Sequence, residues 1–239
     1  MQFECVSRTH VGLQRKINED SIFVGSDRAL WAVADGMGGH DAGEIASTMV
    51  TDALRCLPVA GDLDELAART VESLQQVNDE LINLARSDDG ERKSTIGTTV
   101  VGLAMANGSY RCFWLGDSRA YCLRGGVITR ISRDHSLVQN LVDAGMLKAE
   151  DADTHENANL ITRAVGAAPT IEVEVVSGDS RPGDLFLLAS DGLTRVVRDH
   201  ELAAELARGT PTQAADRLLE TVMARGAPDN VSLIIIKIV

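Results

Sequence analysis

Short apolar runs bounded by Gly, Pro, Asn or Asp recur along this chain, and longer stretches between them repeat with helical period. Runs of that length, rich in branched and aromatic residues, predict buried strands. They fall near 2–8, 20–25 and 29–35, then at 96–106, 109–116, 119–124 and 127–131. Further strands are predicted at 171–177, 184–189 and 231–238. Asn107-Gly108 and Gly125-Gly126 supply hairpin turns. Ile45, Ala46, Met49, Val50, Ala53, Leu54 and Leu57 share one face, which predicts a helix starting at Asp41 with Glu44 as its capping partner. Leu63, Leu66, Thr70, Leu74, Val77, Leu81 and Leu84 form the stripe of a longer helix from about Asp62 to Arg86. Helices are also predicted near 198–208 and 211–225, and Ser87 to Ser94 reads as a polar loop. These stripes are core packing, not cofactor sites.

Segment 134–168 breaks the β pattern. A short helix from Ser136 to Ala144 stops at Gly145, and a polar tract follows through Asn157. This predicts an insertion lying as a flap over one end of the sheets. Blocks of strands and blocks of helices, without regular βαβ alternation, point to α+β layers. The 239 residues suit one large domain, 1–239, with the flap as a subdomain.

Composition narrows the function. A net charge of −12 argues against a nucleic-acid surface and against docking on anionic lipid. No run approaches the roughly 20 apolar residues of a membrane span, and the first residues form no signal-peptide pattern. The expectation is a cytoplasmic protein. Cys5, Cys56, Cys112 and Cys122 lack metal-binding spacing and read as small core residues, with Cys112 and Cys122 able to face each other on adjacent strands.

The chemistry lies at the ends of the apolar runs. Asp35, Asp117 and Asp191 each follow one, and Asp229 precedes one. Asp-Gly after a strand is most often just a turn. Four such sites in one chain instead suggest carboxylates on rigid supports, gathered around a hard cation such as Mg²⁺ or Mn²⁺. Arg15 and Asp20 lie near the N-terminus. An arginine fork beside such a site suits a phosphate, although Arg15 and Asp20 taken singly read as a surface charge and a turn residue. Gly36, Gly38 and Gly39 permit a tight loop into a helix N-terminus, but no Walker A sequence is present. Asp134-His135-Ser136 superficially suggests a hydrolytic triad; sequential residues cannot generally aim at one another, and a helix cap is the better reading.

Taken together, Arg15, Asp35-Gly36-Met37-Gly38-Gly39-His40, Ser94 to Thr99 with Gly97-Thr98-Thr99, Gly116-Asp117-Ser118-Arg119, Ser190-Asp191-Gly192 and Asp229-Asn230 resemble the metal-dependent protein phosphatases of the protein phosphatase 2C (PPM) family, in its compact bacterial form. The resemblance implies a four-layer α-β-β-α sandwich of two antiparallel sheets with helices outside, and metals at one end. It implies that Asp35 bridges two Mn²⁺ or Mg²⁺ ions, that the Gly36 carbonyl completes one of them, and that Asp191 and Asp229 hold the other. Asp20 would contribute directly or through water. Asp117 with Asp191 would form a third, weaker ion site, Arg15 would grip the substrate phosphate, and His40 aligns with a proposed general acid. Glu19 is not counted as a ligand.

The implied activity is hydrolysis of phosphoserine and phosphothreonine by a hydroxide shared between two ions, with no phosphoenzyme, so Ser190 should be a bystander. The implied partners are phosphorylated proteins and an opposing bacterial Ser/Thr kinase, with the chain acting as a monomer. Leu160 to Gly166 matches the end of the flap, where Arg163 either lines the approach to the cleft or makes a structural ion pair. Two other readings stay open: a non-catalytic phosphoprotein-binding member, and a hydrolase of small phosphate esters.

Overall fold

The computed structural model describes residues 2–38, 42–86 and 96–239. Two antiparallel sheets form its centre. The first contains β1 (Phe3–His10), β11 (Val231–Ile238), β10 (Leu185–Ala189), β7 (Arg119–Arg124) and β8 (Val127–Arg130), in that order. The second runs β2 (Asp20–Gly25), β3 (Leu30–Met37), β5 (Val100–Ala106), β6 (Ser109–Leu115) and β9 (Glu174–Asp179), with β4 (Gly97–Thr98) paired to the end of β3. Helices α1 (Ala42–Arg55) and α2 (Leu63–Leu84) cover the second sheet, while α4 (Asp191–Thr194), α5 (Asp199–Leu206) and α6 (Pro211–Ala224) cover the first.

Three apolar clusters correspond to the three interfaces between four layers. Phe186, Leu188, Ile234 and Ile236 meet Trp31, Val33, Val101 and Leu103 between the sheets. The alternate residues of the same strands turn outward: Leu187, Ile235 and Leu233 pack on Leu202, Leu218 and Val222, and Leu30, Ala32 and Ala34 pack on Val50, Leu54 and Leu74. Central strands buried on both faces therefore read as unbroken apolar runs rather than as alternation. The expected four-layer sandwich is what the chain forms.

Helix ends follow local chemistry. Asp62 caps α2 by accepting from Glu65 N at 2.8 Å, as its spacing predicts. Thr210 and Gln213 make a reciprocal capping box on α6, with Pro211 in the first turn. Ser136 caps α3 (Leu137–Asp143). The expected cap at Asp41 and the expected loop 87–94 lie outside the described residues.

Several expectations need correction. The strand over 96–106 is broken at Thr99, because Thr98 Oγ1 and Thr99 N both turn to the Asp35 carbonyl. The strand expected at 171–177 begins only at Glu174; Ile171 N instead donates to Gln75 Oε1 of α2. Cys112 and Cys122 sit on β6 and β7, which belong to opposite sheets, and all four cysteines are free. The short helix α4 and a single 3-10 helix at Ala149–Thr154 in the flap were not predicted. No described helix is long and apolar enough to cross a membrane.

Gly102 shows how tightly these layers are packed. It pairs with Phe113, and a Cβ at Gly102 would lie 2.1 Å from the Phe113 ring. The ring occupies the space a side chain would need. Gly102→Ala should therefore destabilise by about 1–3 kcal/mol through overpacking, read as a lowered urea midpoint. An unchanged midpoint would show that the ring can move aside freely.

Candidate active site

The registers of both sheets deliver their acidic residues to one edge. In the first sheet His10 lies opposite Val231, Leu233 opposite Ala189, and Ala189 opposite Arg119. Asp229, Asp191 and Asp117 consequently leave their strands at the same end. In the second sheet Asp20 pairs with Asp35. A cleft of about 260 Å³ opens there, lined by Arg15, Glu19, Asp35, Gly36, Met37, Gly38, Thr99, Asp117, Asp191, Arg195 and Asp229, and by Asn159 and Ile161 from the flap.

Backbone and hydroxyl donors fix the loops that carry the carboxylates. Asp35 N donates to Thr99 Oγ1 at 3.2 Å, and Thr99 Oγ1 bonds Ser118 Oγ at 2.7 Å, which ties Asp35 to the loop bearing Asp117. Ser190 Oγ donates to Asp20 Oδ2 at 2.9 Å and accepts from Ser232 N at 2.9 Å, joining the two sheets. Ser190 is thus engaged in positioning Asp20. Asn230 is buried, with Nδ2 donating to the Val11 and Ile17 carbonyls and Oδ1 accepting from Glu19 N. That amide clamps both ends of the segment bearing Arg15. Glu19 Oε1 accepts from Gly43 N in the first turn of α1, a favourable place for a carboxylate. Gly36 has no room for a side chain, since a Cβ there would meet the Gly43 carbonyl at 2.1 Å.

The electrostatics of the cleft are adverse for carboxylates alone. Burial, then the neighbouring Asp20, Asp191, Asp117 and Asp229, push the Asp35 carboxyl well above the usual carboxylate range. Burial raises Asp20 to about 6 against its hydroxyl hydrogen bonds, and Asp229 adds to the rise. Burial and Asp191 raise Asp117 to about 6, against the pull of Arg195. Asp191 is likewise raised, mainly by burial, although Arg195 and a hydrogen bond with Asp35 oppose the shift. Asp20 Oδ1 is buried with no hydrogen-bond partner. Oxygen donors in this number, with an orphaned oxygen among them, fit one or more hard divalent ions. Among the described residues, however, no three acidic, His or Cys side chains already stand as a closed metal-binding group. The carboxylates line a shared cleft, with Asp35 and Asp191 within hydrogen-bonding reach of each other.

Residues 14–229 match the family model for protein phosphatase 2C. The chain belongs to the protein phosphatase 2C family. It is 35% identical over 233 residues to the Ser/Thr protein phosphatase PstP of Mycobacterium tuberculosis, covering 98% of this chain but only 44% of that protein's length. It is 33% identical to the Ser/Thr phosphatase Stp of Listeria monocytogenes, covering 96% of this chain and 94% of the relative. Among solved structures, PppA of Pseudomonas aeruginosa, described as a key regulatory component of T6SS, superposes with a TM-score of 0.90 at 39% identity, covering 99% of this chain and 98% of that one. The catalytic domain of PstP, solved with two manganese ions, superposes with a TM-score of 0.86 at 34% identity, covering 98% and 97% of the two chains.

Of the residues singled out in the sequence, Arg15, Asp35, Gly36, Asp117, Asp191 and Asp229 line this cleft. Asp20 sits behind it, paired with Asp35. Arg15 is half-exposed at the rim and bonds Asp229 Oδ2 at 2.8 Å. His40 lies outside the described residues. Arg163 is not among the lining residues; it pairs with Glu174 at 3.2 Å and Glu172 at 3.5 Å, the structural alternative foreseen for it. The supposed triad is dispersed: Asp134 pairs with Arg119, His135 Nδ1 accepts from Gly116 N, and Ser136 caps α3. Sequence reasoning gave no role to Arg195 and none to Asn230. Arg195 stands four residues after Asp191, a spacing that would have flagged it had the short helix α4 been recognised.

The raised Asp35 carboxyl carries a consequence of definite sign. In chelator, the stability linked to it is present below the ordinary carboxylate range and is lost as pH rises through the raised folded value. Asp35→Asn removes that loss. At pH 7.5 in EDTA the variant should melt several degrees above wild type, given that about 1 kcal/mol moves a chain of this size by roughly 2–4 °C. The gap should close below about pH 4. A variant that melts below wild type at pH 7.5 in EDTA would refute the repulsion.

Proposed function

We propose that this chain is a divalent-metal-dependent phosphoprotein phosphatase that hydrolyses phosphoserine and phosphothreonine esters. The observation that carries the reading is the convergence of Asp35, Asp117, Asp191 and Asp229, with Asp20 behind them, on one cleft whose electrostatics favour a cation. Membership of the protein phosphatase 2C family supports it, as do relatives named Ser/Thr phosphatases and the two manganese ions of the PstP catalytic domain.

In this proposal Asp35, Asp191, Asp229, Asp20 and the Gly36 carbonyl hold two Mn²⁺ or Mg²⁺ ions, and Asp117 with Asp191 offers a weaker third site. When bound, such ions supply an activated water and neutralise charge on phosphoryl oxygens. The chain's own residues do the rest. Arg15, on the segment clamped by Asn230, presents its fork at the rim to the phosphate oxygens. The fixed loops hold the carboxylates without rearrangement during reaction, which is where preorganisation lowers the barrier. His40 is assigned as donor of the proton that the departing Ser or Thr oxygen needs.

No cysteine or serine nucleophile is required, and Ser190 is already committed to Asp20 and Ser232. The substrates are phosphorylated proteins opposed to a bacterial Ser/Thr kinase, and the chain acts as a cytoplasmic monomer, one catalytic domain with its flap over 134–168.

The test is hydrolysis of a phosphothreonine peptide. Activity should appear with Mn²⁺, vanish in excess EDTA and return on adding the metal back. Asp229→Asn should lower kcat by about a hundredfold or more, and Arg15→Ala should cost about ten- to a hundredfold in kcat/KM. Activity that survives EDTA would overturn the metal-dependent reading. Phosphosugars cleaved faster than the peptide would assign the chain to small esters, and binding of phosphopeptide without turnover would make it a non-catalytic member.

A further inference from the structure

A second cavity, of about 410 Å³, lies beneath the flap, lined by residues of α3, the 3-10 helix and α5 and by Arg119, Arg130 and Asp134. Asp117, Asp191 and Arg195 line both this cavity and the carboxylate cleft. These three residues border both spaces and so form part of the wall between them. Within the wall Arg195 lies between the acids: one guanidinium nitrogen donates to Asp117 Oδ2 at 2.8 Å, and Nε stands 2.9 Å from Asp191 Oδ2. The nitrogen that meets Asp117 also donates to the Ala158 carbonyl of the flap at 3.4 Å.

The fold gives this arrangement a reason. Asp191 opens α4 directly after β10, and residue 195 is that helix's C-cap, so the two side chains lie one turn apart on the same face. Asp117 comes from the connection that carries the chain from β6 in one sheet to β7 in the other. Arg195 is only 27% exposed, so its charge is less screened than a surface arginine's.

We propose that Arg195 is the resident cation of the Asp117–Asp191 pair, that an additional divalent ion reaches those two carboxylates only by displacing its guanidinium, and that the same side chain partitions the cleft from the cavity beneath the flap. The inference rests on the reading of the cleft as a two-ion site. Its content is separate: the Asp117–Asp191 pair already carries one covalently attached positive charge that offsets part of its own, although Asp191 is shared with the two-ion site. A guanidinium held by two carboxylates and a flap carbonyl competes at high effective concentration with any free ion. It also repels a divalent cation approaching along the same wall.

Counting bound Mn²⁺ tests this without reference to turnover. Free Mn²⁺ is measured by its electron paramagnetic resonance signal during titration of wild type, Arg195→Gln and Arg195→Met, the last because Gln could itself donate to Asp117. Wild type should take up two ions tightly. Both variants should bind one further ion at least about tenfold more tightly than wild type does. Adding Asp117→Asn to either variant should remove that gain. The inference is overturned if affinity for an ion beyond the second is unchanged in both Arg195 variants, or if the gain survives Asp117→Asn. Wild type that binds no Mn²⁺ tightly would instead overturn the two-ion reading itself. Circular dichroism melts confirm that each variant is folded when counted.

Discussion

Repulsion among buried carboxylates is the constraint around which this molecule is organised. Five aspartates from five chain segments reach one end of the sandwich, and burial together with mutual repulsion drives several of them toward the neutral form. Left to itself, such a group would spread apart or protonate. Here packed layers oppose the spreading. Both sheets are apolar on both faces, and three cores lock the layers together. The free energy that holds the acids in place comes from burial tens of residues away, which is why a catalytic family can afford so adverse a site.

Around the acids, the polar residues divide into two kinds. Thr99, Ser118, Ser190, Ser232 and Asn230 bond backbone groups, one another, Thr9 and Asp20. They fix loops and leave the oxygens that face the cleft largely unclaimed. Asp20 shows the division within a single side chain: Oδ2 is held by Ser190, and Oδ1 has no partner. A serine next to a key aspartate in sequence invites a nucleophilic role. The hydrogen bonds show that its oxygen is already used on both sides.

The sequence conveyed most of this through local signals. An aspartate at the end of a short apolar run is visible without any structure, and so are the stripes of α1 and α2. The four layers were not legible from periodicity, because strands buried on both faces erase the alternation that would tell inside from outside; the resemblance supplied them. Where prediction slipped, tertiary contacts outweighed local preference. Ile171 looks like the first residue of a strand, yet its N–H finds Gln75 on α2. Asn230 is visible as part of a motif, but its task, bridging Val11 and Ile17, exists only once the first and last fifths of the chain meet. Arg163 and Arg195 are alike as residues. Only the fold decides that one pairs with Glu172 and Glu174 at the start of an edge strand and the other with the carboxylates of the cleft.

The two arginines that line the cleft differ in a way that bears on their roles. Arg15 touches a single carboxylate and is 52% exposed, so its pair with Asp229 has the small net strength of a surface ion pair. Such a pair can be exchanged for a phosphate at little cost, because the guanidinium is solvated before and after. Arg195 faces two carboxylates in a more enclosed setting, at 27% exposure. Removing it would strand two acids that have few other donors, and such losses are large in low dielectric. One chemical group therefore serves two purposes at two depths. The exposed arginine is free to change partners, whereas the enclosed one is held by the acids whose charge it offsets. Depth in the cleft, more than residue identity, separates the arginine open to solvent from the one held between the acids.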